Sequence, residues 1–149
     1  MDTMGKPAAK QGDSIVATDL HIVLVPAPSG NPVPTPITPF PFRGSLTGNL
    51  SPDVHIEGRP AARVGSTADN QPPHITPPPT AFQTPPDNHG SIAAGSGTVS
   101  INGKGAARAG DPAQTCSQDP TIPPSPGTLV PKGPPIGRVT AQSTVLIGD

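Results

Sequence analysis

The stretch Val54-His-Ile-Glu-Gly-Arg-Pro-Ala-Ala-Arg-Val-Gly-Ser66 decides the fold of this chain because it is repeated. A second copy reads Val99-Ser-Ile-Asn-Gly-Lys-Gly-Ala-Ala-Arg-Ala-Gly-Asp111, and a shorter copy reads Met4-Gly-Lys-Pro-Ala-Ala-Lys-Gln-Gly-Asp13. The copies recur at intervals of roughly 50 residues, a spacing typical of repeated supersecondary units. The sequence therefore predicts several copies of one small structural unit.

The copies at the two ends of the chain are incomplete in complementary ways. The first copy has the Gly-Lys-Pro-Ala-Ala arm without the preceding Val-x-Ile segment, whereas Thr144-Val-Leu-Ile-Gly-Asp149 has that segment without the arm. Three complete units form if the last segment pairs beside the first arm. We therefore expect one pseudo-threefold domain over residues 1–149, with repeat units near 5–16, 54–66 and 99–111 and a closing strand at 144–148.

Each unit carries the pattern of a β-hairpin. The Val-x-Ile alternation predicts a short strand, Glu57-Gly58 and Asn102-Gly103 predict two-residue turns, and Ala-Ala-Arg predicts the returning strand. No stretch has the 3.6-residue period of a helix. The Pro-rich stretches 26–41, 72–86 and 120–135 predict extended loops. The predicted fold class is all-β, built from short hairpins and Pro-rich loops with little or no helix.

The composition limits how such a chain can fold. Its 149 residues include 25 prolines and 17 glycines, a content otherwise found in low-complexity chains, but the net charge of −1 is unlike that of a disordered segment. There is no Trp or Tyr and there are only three Phe, so a large aromatic core is excluded. We expect a further source of stability, such as a metal ion or a partner.

Several classes of protein are excluded or disfavoured by the same counts. A nearly neutral chain with few aromatics is a poor nucleic-acid binder. No apolar run is long enough for a transmembrane helix, and the N-terminus lacks the pattern of a signal peptide, so we expect assembly in the bacterial cytoplasm. The single cysteine, Cys116, excludes an internal disulfide.

Histidine and cysteine recur at matching places in the repeats. His21 and His74 lie equally far after the leading glycines of their units, and Cys116 is the nearest equivalent in the third unit. Imidazole and thiolate ligands converging in this way favour one structural Zn²⁺, although iron also accepts such ligands. The fourth ligand is either His89 or His55. His89 is favoured because it precedes a strand, whereas the His55 side chain points away from its apolar strand neighbours.

Other polar residues are weak candidates for a catalytic role. Asp13, Asp19 and Asp111 follow predicted turns, which is typical of loop caps rather than of acid–base catalysts. No sequence around Cys116 resembles a nucleophile motif. A small zinc enzyme would need an open coordination position, and four protein ligands would close the site.

The segment Gly58-Arg-Pro-Ala-Ala-Arg-Val-Gly65 contains the tetrapeptide Pro-Ala-Ala-Arg, and Pro7-Ala-Ala-Lys10 and Gly105-Ala-Ala-Arg108 are its variants. From Gly5 to Gly148 the chain resembles the PAAR-repeat proteins that tip contractile injection machines, in particular the PAAR-like proteins of phage-tail-like particles. The resemblance implies a small cone of hairpins with one zinc ion near its point. The ligands it implies are His21, His74, His89 and Cys116.

The resemblance also implies a function and partners. The broad base of the cone would sit on a trimeric VgrG-type spike, one tip per trimer, so that the tip sharpens the spike for puncturing a target envelope, with no enzymatic activity. Contact with the target membrane would be transient, and the assembled particle would be extracellular if it is released. The alternative is an adaptor that docks an effector or toxin onto the spike. Because the chain ends at the predicted closing strand, we expect a dedicated tip.

Overall fold

The computed structural model describes residues 5–119 and 130–149 of the chain. These residues form short and long β-strands joined by turns and Pro-rich loops, and none of them forms a helix long and apolar enough to cross a membrane. The all-β fold class is confirmed. The strands are β1 Lys6–Pro7, β2 Ser14–Val25, β3 Val33–Gly48, β4 His55–Ile56, β5 Arg59–Pro60, β6 Thr67–Asn70, β7 Ala81–Phe82, β8 His89–Ile92, β9 Ser100–Ile101, β10 Lys104–Gly105, β11 Pro112–Gln114, β12 Gly137–Thr140 and β13 Leu146–Ile147.

Six of the strands close into a barrel. They are hydrogen-bonded in the order β12-β11-β8-β6-β3-β2, and β12 also pairs with β2, which closes the ring. All of these pairings are antiparallel, and β7 adds to the far part of β2. Inward-facing side chains of the barrel strands form the larger hydrophobic core, which includes Ile15, Phe42, Leu46, Ile92 and Val139.

Three two-stranded hairpins repeat the same geometry at one end of the barrel. β4 pairs with β5, and β9 pairs with β10, through tight turns in which Glu57 and Asn102 both have a φ of 52° and are followed by glycines of positive φ. The third hairpin is assembled from the two ends of the chain, since β1 pairs antiparallel with β13. The expected meeting of the termini is confirmed. We call this end of the molecule the base.

The Ala-Ala pairs of the repeats meet in the interior. The amide of Ala62 donates to the carbonyl of Ala9 at 2.9 Å, that of Ala107 donates to Ala62 at 3.1 Å, and that of Ala9 donates to Ala107 at 2.9 Å. All three residues are fully buried. A closed ring of backbone hydrogen bonds leaves room only for small side chains, which explains alanine at this position of each repeat.

A smaller hydrophobic cluster lies between this ring and the base. Each unit contributes one alanine and one isoleucine to it, so the cluster repeats the threefold pattern in its side chains. Its members are Ala8, Ala61, Ala106, Ile56, Ile101 and Ile147. The chain thus builds its interior from small residues in symmetric layers, in keeping with its low content of large apolar side chains.

A turn after each Ala-Ala pair connects the hairpins to the barrel. Gly12, Gly65 and Gly110 have φ angles of 91°, 92° and 87°, a region that favours glycine. Each of these glycines donates its amide to a core strand of the barrel, at Leu46, Ile92 and Val139 respectively. Within the turns, Asp13 and Asp111 each accept a backbone hydrogen bond, so these two residues are loop caps as expected.

The hairpin of β2 and β3 is much longer than the other barrel strands. Its register runs from Ser14↔Ser45 to Val25↔Val33, with a shift between Asp19 and His21. Only its lower part belongs to the closed barrel, because β6 and β12 pair with residues near Ser14 and Gly44. The upper part continues away from the base and positions the candidate site.

Candidate metal centre

Four buried side chains come together where the long hairpin leaves the barrel. They are Asp19, His21, His74 and Cys116, and one potential ligand atom of each lies within 4.8 Å of all the others. β2 supplies the first two, the loop after β6 supplies His74, and the segment after β11 supplies Cys116. The centre therefore combines segments from distant parts of the sequence.

Asp19 and His21 reach the same place because they are two residues apart in one strand. Alternate side chains of a strand share a face. Both residues are fully buried, which means that this face of β2 points into the protein. The strand pairs with β3 on both sides of a register shift that falls between the two residues.

Asp19 is the common contact of the cluster. Its Oδ2 atom lies 3.0 Å from Nε2 of His74 and 3.4 Å from Sγ of Cys116. Its Oδ1 atom accepts a hydrogen bond from the Thr115 hydroxyl at 2.5 Å. Sγ of Cys116 also lies 3.5 Å from Nε2 of His21. These contacts link the four donor groups in the order His74, Asp19, Cys116 and His21.

The ring of His74 is oriented by two asparagines. Asn70 accepts the Arg43 amide through Oδ1, at 2.8 Å, and so turns its Nδ2 toward Nδ1 of His74, at 3.3 Å. The backbone amide of His74 donates to Oδ1 of Asn88 at 2.8 Å. The two asparagines hold the ring so that Nε2, the other ring nitrogen, faces the Asp19 carboxylate.

Aromatic rings enclose the two histidines. The His21 ring centroid lies 5.2 Å from that of Phe40 and 5.5 Å from that of Phe82, and the His74 centroid lies 6.3 Å from that of Phe42. These are all the phenylalanines of the chain. Gathering them here lowers the local dielectric, which strengthens every electrostatic interaction in the centre.

Burial changes the acid–base behaviour of two members. Burial, together with the nearby His74, lowers the pKa of His21 to about 4, so the imidazole is neutral at physiological pH. Burial also raises the pKa of the Cys116 thiol to about 12, with a further contribution from the Asp19 carboxylate. Neutral imidazole is the form that binds metals, whereas a thiolate in this place requires a compensating cation.

One atom of the centre lacks a partner. Nδ1 of His21 is buried and has no hydrogen bond with any part of the chain that the structure describes. Leaving a buried polar group unpaired is costly. Coordination through this nitrogen would supply the missing interaction.

The donor set fits a structural zinc site. Zn²⁺ is bound by Cys sulfur, His nitrogen and Asp oxygen, at bond lengths that place tetrahedral ligands about 3.3–3.8 Å apart. The contacts between Asp19 and His74 and between Asp19 and Cys116, at 3.0 and 3.4 Å, are close to that range. A buried Asp-His-His-Cys cluster of this kind is compatible with zinc.

The structure brings together three of the four predicted ligands and places His89 elsewhere. In the antiparallel pairing of β6 and β8, His89 lies opposite Asp69, and its Nδ1 is 2.9 Å from the Asp69 carboxylate. This pair is on the outside of the barrel, where 47% of the His89 side chain is exposed. The expectation that His89 joins the cluster is therefore corrected, and Asp19 takes that place.

His55, the other candidate, lies in β4 at the base with an exposed side chain, as its strand position predicted. Asp19 was interpreted from the sequence as a loop cap. The signal that could have identified it is the Asp-x-His spacing, since His21 was already a candidate and residues two apart in a strand share a face.

Comparison with known proteins agrees with the repeat pattern. A family model described as the PAAR motif matches residues 83–149, which include β8 to β13 and Cys116. No curated protein and no solved structure matches the chain. The matched region, the two further copies of the arm at Pro7 and Pro60, and the closed all-β body are similar to the PAAR-repeat proteins and support a spike-associated protein of contractile injection systems.

Proposed function

We propose that this protein caps and sharpens the trimeric VgrG-type central spike of a contractile injection system, so that the spike can puncture a target envelope. The observation that carries the proposal is the internal threefold arrangement, best seen in the hydrogen-bonded ring of Ala9, Ala62 and Ala107. A single chain with this pseudo-symmetry presents three similar edges and can match a threefold partner without itself forming a trimer.

The base is the surface suited to this contact. Val54, Val99 and Val145 occupy equivalent positions in the three hairpins and are 38%, 38% and 41% exposed. Each precedes a strand whose isoleucine is buried in the small cluster. Three equivalent apolar side chains beside short strand edges favour a contact that combines hydrophobic burial with backbone hydrogen bonds.

The three contacts at the base would be similar but unequal. The residues that follow the three valines are His55, Ser100 and Leu146, all exposed. Lys6, Arg59 and Lys104 repeat a positive charge on the partner strand of each hairpin. Such differences would fix one rotational setting of the tip on a symmetric spike.

The centre formed by Asp19, His21, His74 and Cys116 would hold one structural Zn²⁺. The thiolate and the carboxylate together balance the charge of the ion, so a neutral site can be buried. Four protein ligands leave no open position, which is the arrangement of structural rather than catalytic zinc. The ion would connect β2, the loop after β6 and the segment after β11 and stabilise a chain with few large apolar residues.

We also propose that the particle is assembled in the cytoplasm. The tip role is tested by co-expressing the protein with its cognate spike protein there and measuring the stoichiometry of the complex by native mass spectrometry. The expected complex has three spike chains and one tip. A variant with Val54→Asp, Val99→Asp and Val145→Asp should lose the complex, whereas the control Ile75→Asp, at the opposite end, should keep it. A complex of three spike chains with three tips, or the absence of a complex, would contradict the proposal and favour the effector adaptor.

A further inference from the structure

The two oxygens of the Asp19 carboxylate have different surroundings. Oδ2 lies 3.0 Å from Nε2 of His74 and 3.4 Å from Sγ of Cys116, so it faces the other donor groups of the metal centre. Oδ1 accepts a hydrogen bond from the Thr115 hydroxyl at 2.5 Å. Among the described residues, no other group bonds to Oδ1. One oxygen of the carboxylate is therefore available to the centre, and the other is occupied.

The Thr115 hydroxyl has its proton committed to this bond. Thr115 is fully buried, and its Oγ1 atom accepts the backbone amide of Ser117 at 3.4 Å. A hydroxyl has one proton and can accept with its lone pairs. Since the amide occupies a lone pair, the proton remains for Asp19. A hydrogen bond from a hydroxyl to an ionised carboxylate is charge-assisted and stronger than a neutral one.

The segment that carries this hydroxyl is fixed to β2 by its own side chains. Oγ of Ser117 accepts the Leu20 amide at 2.8 Å, and Oε1 of Gln118 accepts the Ile22 amide at 2.6 Å. The amide of Gln118 also donates to the Leu20 carbonyl at 2.8 Å. Both Ser117 and Gln118 are buried. The protein itself therefore sets the position of the hydroxyl beside the carboxylate, without help from a metal ion.

The methyl group of Thr115 contacts a different part of the molecule. Gly137 of β12 packs so closely against it that a Cβ atom at this glycine would lie 3.0 Å from Cγ2 of Thr115. The hydroxyl thus serves the carboxylate, whereas the methyl serves the packing of the barrel. Substitutions that remove only one of the two groups can separate these roles.

The hydroxyl bond bears on how many ligand atoms the centre offers. A carboxylate can bind a metal ion through one oxygen or through both. A tetrahedral site takes one atom from each of four ligands, and a second oxygen from Asp19 would raise the number to five. Hydrogen bonds from outside the ligand set orient the ligands of metal sites in this way.

We propose that Thr115 is a positioning residue that restricts Asp19 to a single ligand oxygen, Oδ2, and so keeps a metal ion at this centre four-coordinate. The inference rests on the proposed zinc site and deepens it. It assigns a role to a buried side chain that contacts one ligand and is not itself a ligand.

Cobalt(II) is the probe that tests the coordination number, because its visible absorption depends on geometry, whereas Zn²⁺ has no such spectrum. Metal-free, full-length protein is loaded with Co²⁺ under reducing conditions. The wild type should show the intense d–d bands of a four-coordinate ion. Thr115→Val, which keeps the methyl and loses the hydroxyl, should replace them by the weaker bands of a five-coordinate ion. Thr115→Ser, which keeps the hydroxyl, should retain the wild-type spectrum.

The matched control is Thr38→Val. The Thr38 hydroxyl also donates to Asp19, at 3.3 Å, but to its backbone carbonyl rather than to its carboxylate. Its removal should leave the cobalt spectrum unchanged. Zinc affinity, measured by competition with a chromophoric chelator, should fall by about 10–100-fold in Thr115→Val and stay at the wild-type value in Thr115→Ser and Thr38→Val.

Two results would overturn the inference: a four-coordinate spectrum in Thr115→Val, or the same loss of that spectrum in Thr115→Ser. Thr115→Ala, which places no added methyl against the carboxylate, should repeat the result of Thr115→Val and replaces it if that variant does not fold. Wild-type protein that binds cobalt without the four-coordinate spectrum would overturn the inference alone. Wild-type protein that binds neither cobalt nor zinc would overturn the zinc site together with it.

Discussion

Oδ2 of Asp19 lies 3.0 Å from Nε2 of His74, although 55 residues separate the two in the sequence. The same oxygen also contacts the sulfur of Cys116, so this carboxylate stands at the centre of a cluster drawn from three segments. Its position makes Asp19, rather than His89, the residue expected to complete the metal site.

Asp19→Asn tests this assignment with little change of shape. The bound zinc should fall from about one ion per chain to near zero, because a structural site needs all four ligands and the amide is a poor ligand. Cys116→Ala should have the same effect. Metal content of the purified variants is measured by elemental analysis. His89→Ala and His55→Ala are the controls and should keep the ion; loss in His89→Ala with retention in Asp19→Asn would restore His89 as the ligand.

Removal of the metal should lower stability strongly. Binding free energy at a structural zinc site contributes to folding, and the chain has few large apolar side chains to compensate. Treatment of the wild-type protein with a chelator should lower the Tm by roughly 10 °C or more. Differential scanning calorimetry before and after chelation measures the change, and re-addition of Zn²⁺ should restore it. A Tm that does not depend on the chelator would argue against a structural ion.

Much of the fold could be predicted because the repeats carry local signals. The turns at Gly58 and Gly103 and the strands around them follow from sequence alone. The complementary ends predicted that the last strand pairs with the N-terminal unit, and β13 does pair with β1. The closed barrel could not be derived in this way. It depends on pairings between distant strands, such as Val139 with Ile15, that no local pattern specifies.

The metal centre was only partly predictable for a related reason. The spacing of His21 and His74 follows the repeat, so the repeat pattern predicted both residues as metal ligands. Asp19 breaks the repeat and was missed, whereas His89 was chosen because it precedes a strand. The register of that strand, which sets His89 opposite Asp69, is a tertiary property and turns the ring to the outside.

The alanine ring offers a test of the internal threefold packing. Ala62 is fully buried, and its backbone bonds to both Ala9 and Ala107. Ala62→Val should destabilise the protein by about 1–3 kcal/mol, because added methyl groups cannot be accommodated at a tightly packed axis. Urea denaturation measures the free energy of unfolding. The exposed Ala94→Val is the control and should change it little; equal effects of the two substitutions would show that the axis is not tightly packed.

The prolines at the edge of β3 should also prevent strand pairing between copies of the protein. Changing Pro34 and Pro36 to Thr introduces two outward N–H groups on a strand that, among the described strands, has only β2 as a neighbour there. We expect self-association of the double variant at high concentration, since exposed edges with donors are templates for pairing. Sedimentation velocity compares it with the wild type. Thr35→Val is the control, because its amide faces β2; a monomeric double variant would show that the prolines are not needed for this protection.

The hairpin formed by the chain ends is the last feature to test, because it supplies the third unit of the base. Ile147 is buried in the small cluster, whereas Leu146, next to it in β13, is half exposed. Deleting residues 143–149 should unfold the protein or make it aggregate, because it removes the β1 partner and uncovers the cluster.

Two neighbouring substitutions in β13 give a finer test. Ile147→Asp should lower the free energy of unfolding by about 3 kcal/mol or more, since it buries a charge without a partner. Leu146→Asp should change the free energy of unfolding by less than about 1 kcal/mol. Thermal and urea denaturation measure these differences. A deletion variant that stays soluble and melts cooperatively at the wild-type temperature would contradict closure of the third unit by the two ends of the chain.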